Sequence, residues 1–425
     1  MISSFTLDNA IQADATDSLA EFRERFFLPT NDTGDALLYL CGNSLGLQPR
    51  AVPDLMAEEL EDWARLGVTG HFNARRPWMP YHENLTANMA EIVGAQPDEV
   101  VMMNTLTVNL HLMMVSFYRP TEKRYKLLIE KPAFPSDRYA AESQVRYHRL
   151  DPADALLEIG PRDSEQTIRD EDLLQLIERE GKSIALVMLP GVQYYSGQLF
   201  DIAAVTALAR HKGCAVGWDL AHAAGNVPLN LHDADADFAV WCNYKYLNGG
   251  PGAIGGCFVH ARHADDSSLP RFCGWWGHDK SSRFRMGPNF HPIPGAEGWQ
   301  LSNPPILAMT SLIPSLQLFH EAGMTELRAK SLALTGFLEL GIRERLGGAV
   351  ESITPSQPER RGCQLSLRLD GGSGHAVFRH LEADDVVCDW REPDVIRVAP
   401  VPLYNSFVDV YRFVEKLHLA MEATA

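Results

Sequence analysis

Short apolar runs alternate with helix-like segments between residues 98 and 260 of this 425-residue chain. Apolar runs of about four to eight residues, bounded by polar or turn-forming positions, are typical of buried strands. The pattern predicts strands at residues 100–103, 125–129, 184–189, 215–218, 238–242 and 254–259. Strands that alternate with helices form a mostly parallel sheet with helices on both faces, so we predict an α/β domain.

Two of the intervening helices are well marked, at residues 171–180 and 202–211. The second ends at Lys212 and Gly213, a basic last turn followed by a glycine stop. We interpret the acidic stretch of residues 151–172 as a solvated loop and helix face.

The pattern changes after Asn303-Pro304-Pro305. Long helices are predicted at residues 306–319 and 324–345, then a strand at 363–368, a helix at 376–381, a strand ending at 396–398 and a final helix from Phe407. This order favours a smaller α+β domain. We therefore predict a large domain at residues 41–305, a small domain at 306–425, and an N-terminal segment, 1–40, that packs with the small domain.

Composition narrows the choice of partners. A formal net charge of −17 argues against nucleic acid, which needs clustered basic residues. The N-terminus lacks a signal-peptide pattern and no apolar run is long enough to span a bilayer, so we expect a soluble cytoplasmic protein without membrane contact. The seven cysteines include no CxxC pair, and His260 and His263 have no evident third ligand, so we predict no metal.

Candidate chemistry lies at the ends of two neighbouring strands. Asp219 closes the run at residues 215–218, and Lys245 follows the next apolar run. A pyridoxal-phosphate site needs a carboxylate that keeps the pyridine nitrogen protonated and a lysine amine that binds the aldehyde. Asp219 and Lys245 have the required types and order, although each alone is more often a surface residue.

Two shorter patterns support such a site. Leu106 and Thr107 stand between a strand and a helical run, where free backbone N–H groups and hydroxyls can bind phosphate. Phe134-Pro135-Ser136-Asp137 follows another strand and offers an aromatic face beside a carboxylate. Taken alone, the first is a simple helix cap and the second a turn.

Together these motifs resemble the kynureninase family, within the aminotransferase class V group of fold-type-I pyridoxal-phosphate enzymes. The resemblance covers nearly the whole chain. It includes Gly42-Asn43-Ser44-Leu45-Gly46-Leu47, Gly70-His71, Arg76-Pro77-Trp78, 106–111, 134–137, 219–225, 244–248, Gly274-Trp275, 302–305 and 397–405.

The resemblance implies a role for each matching residue. Lys245 binds the cofactor covalently, Asp219 pairs with the pyridine nitrogen, Phe134 stacks on the ring, and Tyr244 contacts the phosphate and is a candidate acid. The other implied cofactor contacts are Leu106, Thr107, Pro135, Ser136, Asp137, His222, Trp275 and Asn303, and the implied substrate contacts are His71, Ser302, Asn303, Arg397 and Ser44. Trp275 and Asn303 match positions that the family contributes across a dimer interface, which implies a homodimer with shared active sites.

The implied activity is hydrolysis of the Cβ–Cγ bond of L-kynurenine and 3-hydroxy-L-kynurenine to anthranilate or 3-hydroxyanthranilate plus L-alanine, in tryptophan degradation and NAD biosynthesis. A cysteine desulfurase or aminotransferase of the same group is the alternative. Desulfuration would need a nucleophilic cysteine on a mobile loop, whereas Cys363 and Cys388 have the pattern of packed strand residues. A non-catalytic protein on this fold is disfavoured because the lysine and its carboxylate are both present.

The aromatic end of the implied substrate pocket carries His71, Ser302 and Asn303. This trio resembles kynureninases of the eukaryotic type, whereas the bacterial catabolic type tends to carry Trp, Gly and Thr. Polar side chains can hydrogen-bond a ring hydroxyl, so we expect 3-hydroxykynurenine to be preferred. The alternative is that these residues only form the pocket wall.

Overall fold

The computed structural model describes residues 2, 4–266, 268–369 and 372–424. Its centre is a seven-stranded sheet, and apolar side chains cover both faces of that sheet. Along the interior strand Ile184–Pro190, Val187 and Leu189 pack on one face while Leu186 and Met188 pack on the other. Burial on both faces explains why this strand is apolar at successive positions instead of alternating with polar residues.

The strands in the described part of the chain are β1 (Leu38–Tyr39), β2 (Val100–Met102), β3 (Lys126–Glu130), β4 (Leu156–Ile159), β5 (Ile184–Pro190), β6 (Ala215–Asp219), β7 (Phe238–Cys242), β8 (Gly255–Val259), β9 (Val350–Ser352), β10 (Leu365–Leu369), β11 (Val386–Val387), β12 (Asp389–Arg391) and β13 (Val395–Val398). The large sheet has the order β2-β8-β7-β6-β5-β3-β4. Strands β7, β6, β5, β3 and β4 are parallel, and β8 runs antiparallel to both of its neighbours.

The α-helices are α1 (Leu7–Ala15), α2 (Val52–Leu66), α3 (Gly70–Asn73), α4 (Glu83–Val93), α5 (Leu106–Phe117), α6 (Pro135–Tyr147), α7 (Pro152–Ala155), α8 (Asp170–Glu180), α9 (Ile202–His211), α10 (Ile306–Thr310), α11 (Leu312–Ala322), α12 (Met324–Gly341), α13 (Gly374–Ala383) and α14 (Phe407–Thr424). A π-helical turn, Ile342–Leu346, continues α12. Helices α5 and α6 pack on one face of the large sheet, and α4, α8, α9 and α11 pack on the other.

A four-stranded antiparallel sheet of order β12-β13-β10-β9 forms a second core with α12, α13 and α14. Phe5 and Leu38 of the N-terminal segment lie in this core, and β1 pairs with β11. Leu19 and Phe26 pack instead in the core of the large sheet, as does α11. The N-terminal segment therefore contacts both layers, and the domain boundaries at residues 40 and 305 stay a prediction.

The predicted strands and most helices are confirmed within a few residues, but two expectations are wrong. The acidic stretch 151–172 contains helix α7 and strand β4, which pairs with β3 at the edge of the sheet. Strand β4 has only four residues, two of them partly buried, and lies in an acidic segment, so its apolar run does not stand out. The helix predicted at 306–319 is divided into α10 and α11.

Within the described ranges, no helix is both long enough and apolar enough to cross a membrane.

Candidate active site

The candidate site lies at the carboxyl edge of the parallel strands, the usual place for ligands in open α/β sheets. Asp219 is the last residue of β6, and Lys245 follows the adjacent strand β7. Both line one cavity, together with Leu106, Thr107, Glu130, Phe134, Ser136, Asp137, Pro190, Val192, Tyr194, Ala221, His222 and Tyr244. The fold thus brings together the two residues that the strand-end pattern singled out.

Lys245 is held next to a buried histidine. Its Nζ lies 2.8 Å from Nε2 of His222. Burial lowers the pKa of His222 well below its ordinary value, and the charge of Lys245 adds to this effect. Because a neutral imidazole can accept a hydrogen bond, Lys245 can donate to His222 and stay positioned at the cavity wall.

Three acidic side chains converge behind the lysine: Asp219, Asp137 and Glu130. Asp219 Oδ1 accepts a hydrogen bond of 2.7 Å from the backbone N–H of Ala221, which fixes the carboxylate in the turn after β6. Burial and the adjacent Asp219 charge raise the pKa of Asp137 well above its usual range. Burial also raises the pKa of Glu130 to about 8, and Asp219 contributes to that rise. Burial and the nearby Asp219 charge therefore favour the protonated forms of Asp137 and Glu130.

The N-termini of two long helices meet at the other end of the cavity. Thr107 lies in the first turn of α5 and Ser136 in the first turn of α6, and their hydroxyl oxygens are 2.9 Å apart. First-turn N–H groups lack partners within their own helix and carry the positive end of the helix dipole. Two such ends with two hydroxyls form a cradle suited to a phosphate.

These residues fit pyridoxal phosphate. Asp137 Oδ1 and His222 Nδ1 are buried without hydrogen-bond partners in the described part of the chain, so the cavity offers polar atoms that a bound polar ring can satisfy. Phe134 forms one wall, with its ring edge-on to Tyr194 at a centroid distance of 5.3 Å. Lysine, acidic group, aromatic wall and phosphate cradle occur in one cavity.

The loop that carries Ser44 packs directly on the lysine loop. Gly46 donates its backbone N–H to the carbonyl of Tyr244 at 2.8 Å. A Cβ at Gly46 would collide with the Lys245 carbonyl, so this close approach requires glycine. The pairing places Ser44 beside the cavity.

Arg397 of β13 reaches the same region from the small sheet. Its Nη1 donates to the carbonyl of Tyr194 at 2.6 Å, and its Nη2 donates to Asp389 at 2.6 Å and to Ser44 at 3.2 Å. Only 1% of the Arg397 side chain is exposed. Because Tyr194 lines the cavity, the guanidinium stands at the cavity's edge.

His71 is held by a segment with a buried acidic centre. Glu59 accepts hydrogen bonds from Arg76 at 2.7 Å and from Trp78 at 3.0 Å. The His71 ring packs edge-on against Trp78 with centroids 5.4 Å apart, and its Nδ1 lies 3.0 Å from the carbonyl of Val68. Since a carbonyl can only accept, Nδ1 is the donor in this contact, and Nε2 is left for another partner.

Ser44 and Arg397 contact each other at the edge of the Lys245 cavity without lining it. Four further predicted site residues lie outside the cavity of the single chain: His71, Trp275, Ser302 and Asn303. Ser302 and Asn303 are exposed, and 41% of Trp275 is exposed. Trp275 donates from its indole nitrogen to the carbonyl of Arg283 at 3.1 Å. Pro135 does not line the cavity either, but begins α6 and so positions Ser136.

Several side chains at the site were missed by the sequence argument: Glu130, Tyr194, Asp389 and Arg391. Glu130 ends β3, and Tyr194 follows β5. The strand-end rule that selected Asp219 applies to both of them. Asp389 and Arg391 lie on β12, whose antiparallel pairing with β13 brings them to Arg397, and no motif marks either residue.

Comparison with known proteins identifies relatives whose alignments cover nearly the whole chain. A model of the kynureninase C-terminal domain matches residues 327–417. Proteins named kynureninase from Koribacter versatilis and Myxococcus xanthus are each 58% identical to this chain, and each alignment covers 96% of both proteins. A kynureninase from Xanthomonas euvesicatoria is 56% identical over 96% of this chain and 97% of its own length.

Solved structures match the fold at much lower identity. The cysteine desulfurase CsdA from Escherichia coli superposes with a TM-score of 0.77 at 16% identity, over 96% of this chain and 99% of that one. A C-DES variant with glycine covalently linked to its PLP cofactor has a TM-score of 0.74 at 18% identity, over 90% of this chain and 96% of that one. These similarities show the fold of the fold-type-I pyridoxal-phosphate enzymes, and the identity to the curated relatives settles the narrower question: this chain belongs to the kynureninase family.

Proposed function

We propose that the Lys245 site hydrolyses the Cβ–Cγ bond of L-kynurenine and 3-hydroxy-L-kynurenine, releasing L-alanine and anthranilate or 3-hydroxyanthranilate. The observation that carries this proposal is the placement of Lys245 and Asp219 in one cavity of a chain 58% identical to kynureninases over 96% of its length. The enzyme is therefore a hydrolase of carbon–carbon bonds in tryptophan degradation. The direct test of this proposal is whether the purified protein forms anthranilate and alanine from kynurenine.

Pyridoxal 5'-phosphate is the cofactor, and when bound it supplies an aldehyde for the substrate amine and a protonated ring that accepts electrons. Asp219 is the residue we propose to keep the ring nitrogen protonated. Thr107 and Ser136, at the two helix N-termini, would hold the phosphate. Phe134 would stack on the ring from the exposed side of the cavity.

Lys245 is proposed to move the proton at the substrate α-carbon. When Nζ is not bonded to the cofactor it would be free to act as a base, and His222 at 2.8 Å would keep it in place. Burial raises the pKa of Tyr244 above its ordinary value, so its hydroxyl stays protonated and can serve as an acid. Water then adds to the γ-carbonyl, the Cβ–Cγ bond breaks, and a proton delivered to the β-carbon completes alanine.

Arg397 is proposed to bind the substrate α-carboxylate. A planar guanidinium can donate two parallel hydrogen bonds to a carboxylate, and a lysine amine cannot copy that geometry. We therefore expect Arg397→Lys to raise KM by at least about tenfold, because a charge-assisted hydrogen bond is worth roughly 1.5–3 kcal/mol. Steady-state kinetics with kynurenine measure it.

The matched control for this change is Arg368→Lys. Arg368 lies on β10 of the same sheet and pairs with Glu351 outside the cavity. Its variant should keep the KM of the unmodified enzyme. An Arg397→Lys enzyme with the same KM would rule out Arg397 as the residue that binds the substrate carboxylate.

We also propose that 3-hydroxykynurenine is the preferred substrate. The support is His71, whose Nε2 is left free by the contact of Nδ1 with Val68, together with the exposed polar side chains of Ser302 and Asn303. A pocket that accepts a hydrogen bond from a ring hydroxyl leaves its polar groups unpaired when that hydroxyl is missing.

Replacing His71 by Trp and Asn303 by Thr together should shift preference towards kynurenine. The ratio of kcat/KM for the two substrates is expected to fall by at least about tenfold, the size of one lost hydrogen bond. The ratio is measured by competing the substrates in one reaction. Better use of kynurenine by the unmodified enzyme would contradict the preference while leaving the family assignment intact.

A homodimer with shared active sites is a further part of this proposal. It is supported by exposed apolar side chains around the residues that lie outside the single-chain cavity. Val68 and Phe72, beside His71, are 79% and 63% exposed, and Phe284 and Met286, near Trp275, are 55% and 72% exposed. Such clustered apolar exposure is typical of surfaces that associate.

Desulfuration is disfavoured by the state of the small-domain cysteines. Cys363 and Cys388 are both buried. Burial raises the pKa of Cys363 to about 12, so its thiol is not ionised at neutral pH. The free cysteines also fit a reducing cytoplasm, the location that we propose.

A further inference from the structure

The guanidinium of Arg397 already holds a carboxylate of its own chain. Nη2 donates to Asp389 Oδ2 at 2.6 Å and to Ser44 Oγ at 3.2 Å, while Nη1 donates to the carbonyl of Tyr194. The Ser44 hydroxyl in turn donates to Asp389. Arg397, the residue proposed to bind the substrate carboxylate, is therefore already paired with an aspartate of its own chain.

The geometry of the guanidinium group decides whether Arg397 can bind a second carboxylate while Asp389 is in place. Two edges of the group can give one carboxylate two parallel hydrogen bonds: the Nε and Nη2 edge, and the Nη1 and Nη2 edge. Both edges use Nη2. Nη2 carries one hydrogen for each edge, and Asp389 and Ser44 already accept from this nitrogen, so a substrate carboxylate that binds through two hydrogen bonds competes with Asp389 for Nη2 and for the charge of Arg397.

Asp389 also forms an ion pair with a second cation, Arg391. Arg391, on the same strand, contacts Asp389 with its Nε at 2.8 Å and its Nη2 at 3.0 Å. Although burial acts to raise it, the charge and hydrogen bond of Arg397 and the hydrogen bond from Ser44 hold the pKa of Asp389 below its usual value. The aspartate therefore remains a carboxylate, and Arg391 can still compensate its charge after Arg397 is taken.

We propose that Asp389 is a specificity-determining residue, an internal carboxylate that the substrate α-carboxylate must replace on Arg397. This proposal rests on the proposed function, in which Arg397 is the substrate clamp. A buried arginine without a counter-charge is costly, so Asp389 stabilises Arg397 while no ligand is bound. A ligand that lacks a carboxylate cannot compensate Arg397 and cannot displace Asp389.

The first test is Asp389→Asn, a change of nearly equal shape that removes the charge. The holoenzyme is titrated with L-alanine and with ethylamine, which has no carboxylate, while the visible absorbance of the cofactor is followed. We expect alanine to bind about tenfold more tightly in the variant, equivalent to about 1.4 kcal/mol, and ethylamine affinity to stay unchanged. Glu351→Gln, which removes a charge from the same sheet without touching Arg397, is the control.

The second test is Arg391→Gln, at a side chain that is 36% exposed. Without Arg391, Asp389 has no second cation to receive it, so alanine should bind several-fold more weakly. In the double variant with Asp389→Asn this weakening should disappear, because an amide at residue 389 needs no receiving cation. Simple attraction between Arg391 and the ligand would instead persist in the double variant.

Unchanged or weaker alanine binding in Asp389→Asn overturns the proposal and makes Asp389 an orienting residue for Arg397. Additive effects in the double variant also overturn it, as does unchanged alanine binding in Arg391→Gln alone. The alanine titration does not depend on turnover. Failure of the unmodified enzyme to form anthranilate would therefore count against the proposed function and not against the exchange at Arg397.

Discussion

Replacing Lys245 by alanine is expected to abolish turnover, to below about one ten-thousandth of the unmodified rate. The residue has two roles in the account: it binds the cofactor aldehyde, and it moves the α-proton, a step for which general bases commonly contribute about 10²- to 10⁴-fold. No other lysine lines the described cavity. The variant should retain some cofactor through the phosphate cradle of Thr107 and Ser136.

The covalent bond can be read separately from activity. Borohydride reduction followed by peptide mass analysis should place the cofactor on Lys245 in the unmodified enzyme, with no labelled peptide in Lys245→Ala. Lys126→Ala is the matched control, because Lys126 pairs with Glu180 away from the cavity. Full activity in Lys245→Ala would remove the basis of the assignment.

Replacing Asp219 by alanine should lower kcat by at least about a hundredfold. An unprotonated pyridine ring is a poor electron acceptor, and Asp219 is the carboxylate fixed by Ala221 at the end of β6. Asp219→Glu keeps the charge and should be milder. Asp172→Asn, which loses a carboxylate paired with Arg162 on the surface of α8, should leave kcat unchanged.

The Asp219→Ala prediction distinguishes Asp219 from two other acids, Asp137 and Glu130, as the partner of the ring nitrogen. Both acids line the same cavity, and burial raises the pKa of each. If one of them held the ring nitrogen instead, Asp219→Ala would stay within a few-fold of the unmodified enzyme. That outcome would show that the wrong carboxylate had been chosen.

Much of the fold could be predicted from the sequence because its central strands are buried on both faces. Such strands appear as short apolar runs, and β5, β6 and β7 occur where those runs do. Strand β4 was missed because it has only four residues and lies within an acidic stretch. The antiparallel direction of β8 has no local signal, since strand direction is fixed by the connection and not by the residues of the strand.

The candidate site likewise contains some residues that could be predicted from the sequence and others that could not. Asp219 and Lys245 could be predicted because each follows a strand that is easily recognised. Asp389 could not, because its partner Arg397 lies on a neighbouring strand and Ser44 lies hundreds of residues away in the chain. His71, Ser302 and Asn303 rest on family resemblance, and their role in the pocket stays a proposal.

The most direct measurement of the central claim is the product ratio from the purified holoenzyme supplied with kynurenine or 3-hydroxykynurenine. Each Cβ–Cγ cleavage consumes one water and releases one aromatic acid and one alanine. We expect equal amounts of alanine and of anthranilate or 3-hydroxyanthranilate, with no sulfur released from cysteine under the same conditions. Sulfur release from cysteine without any aromatic acid from either kynurenine would contradict it.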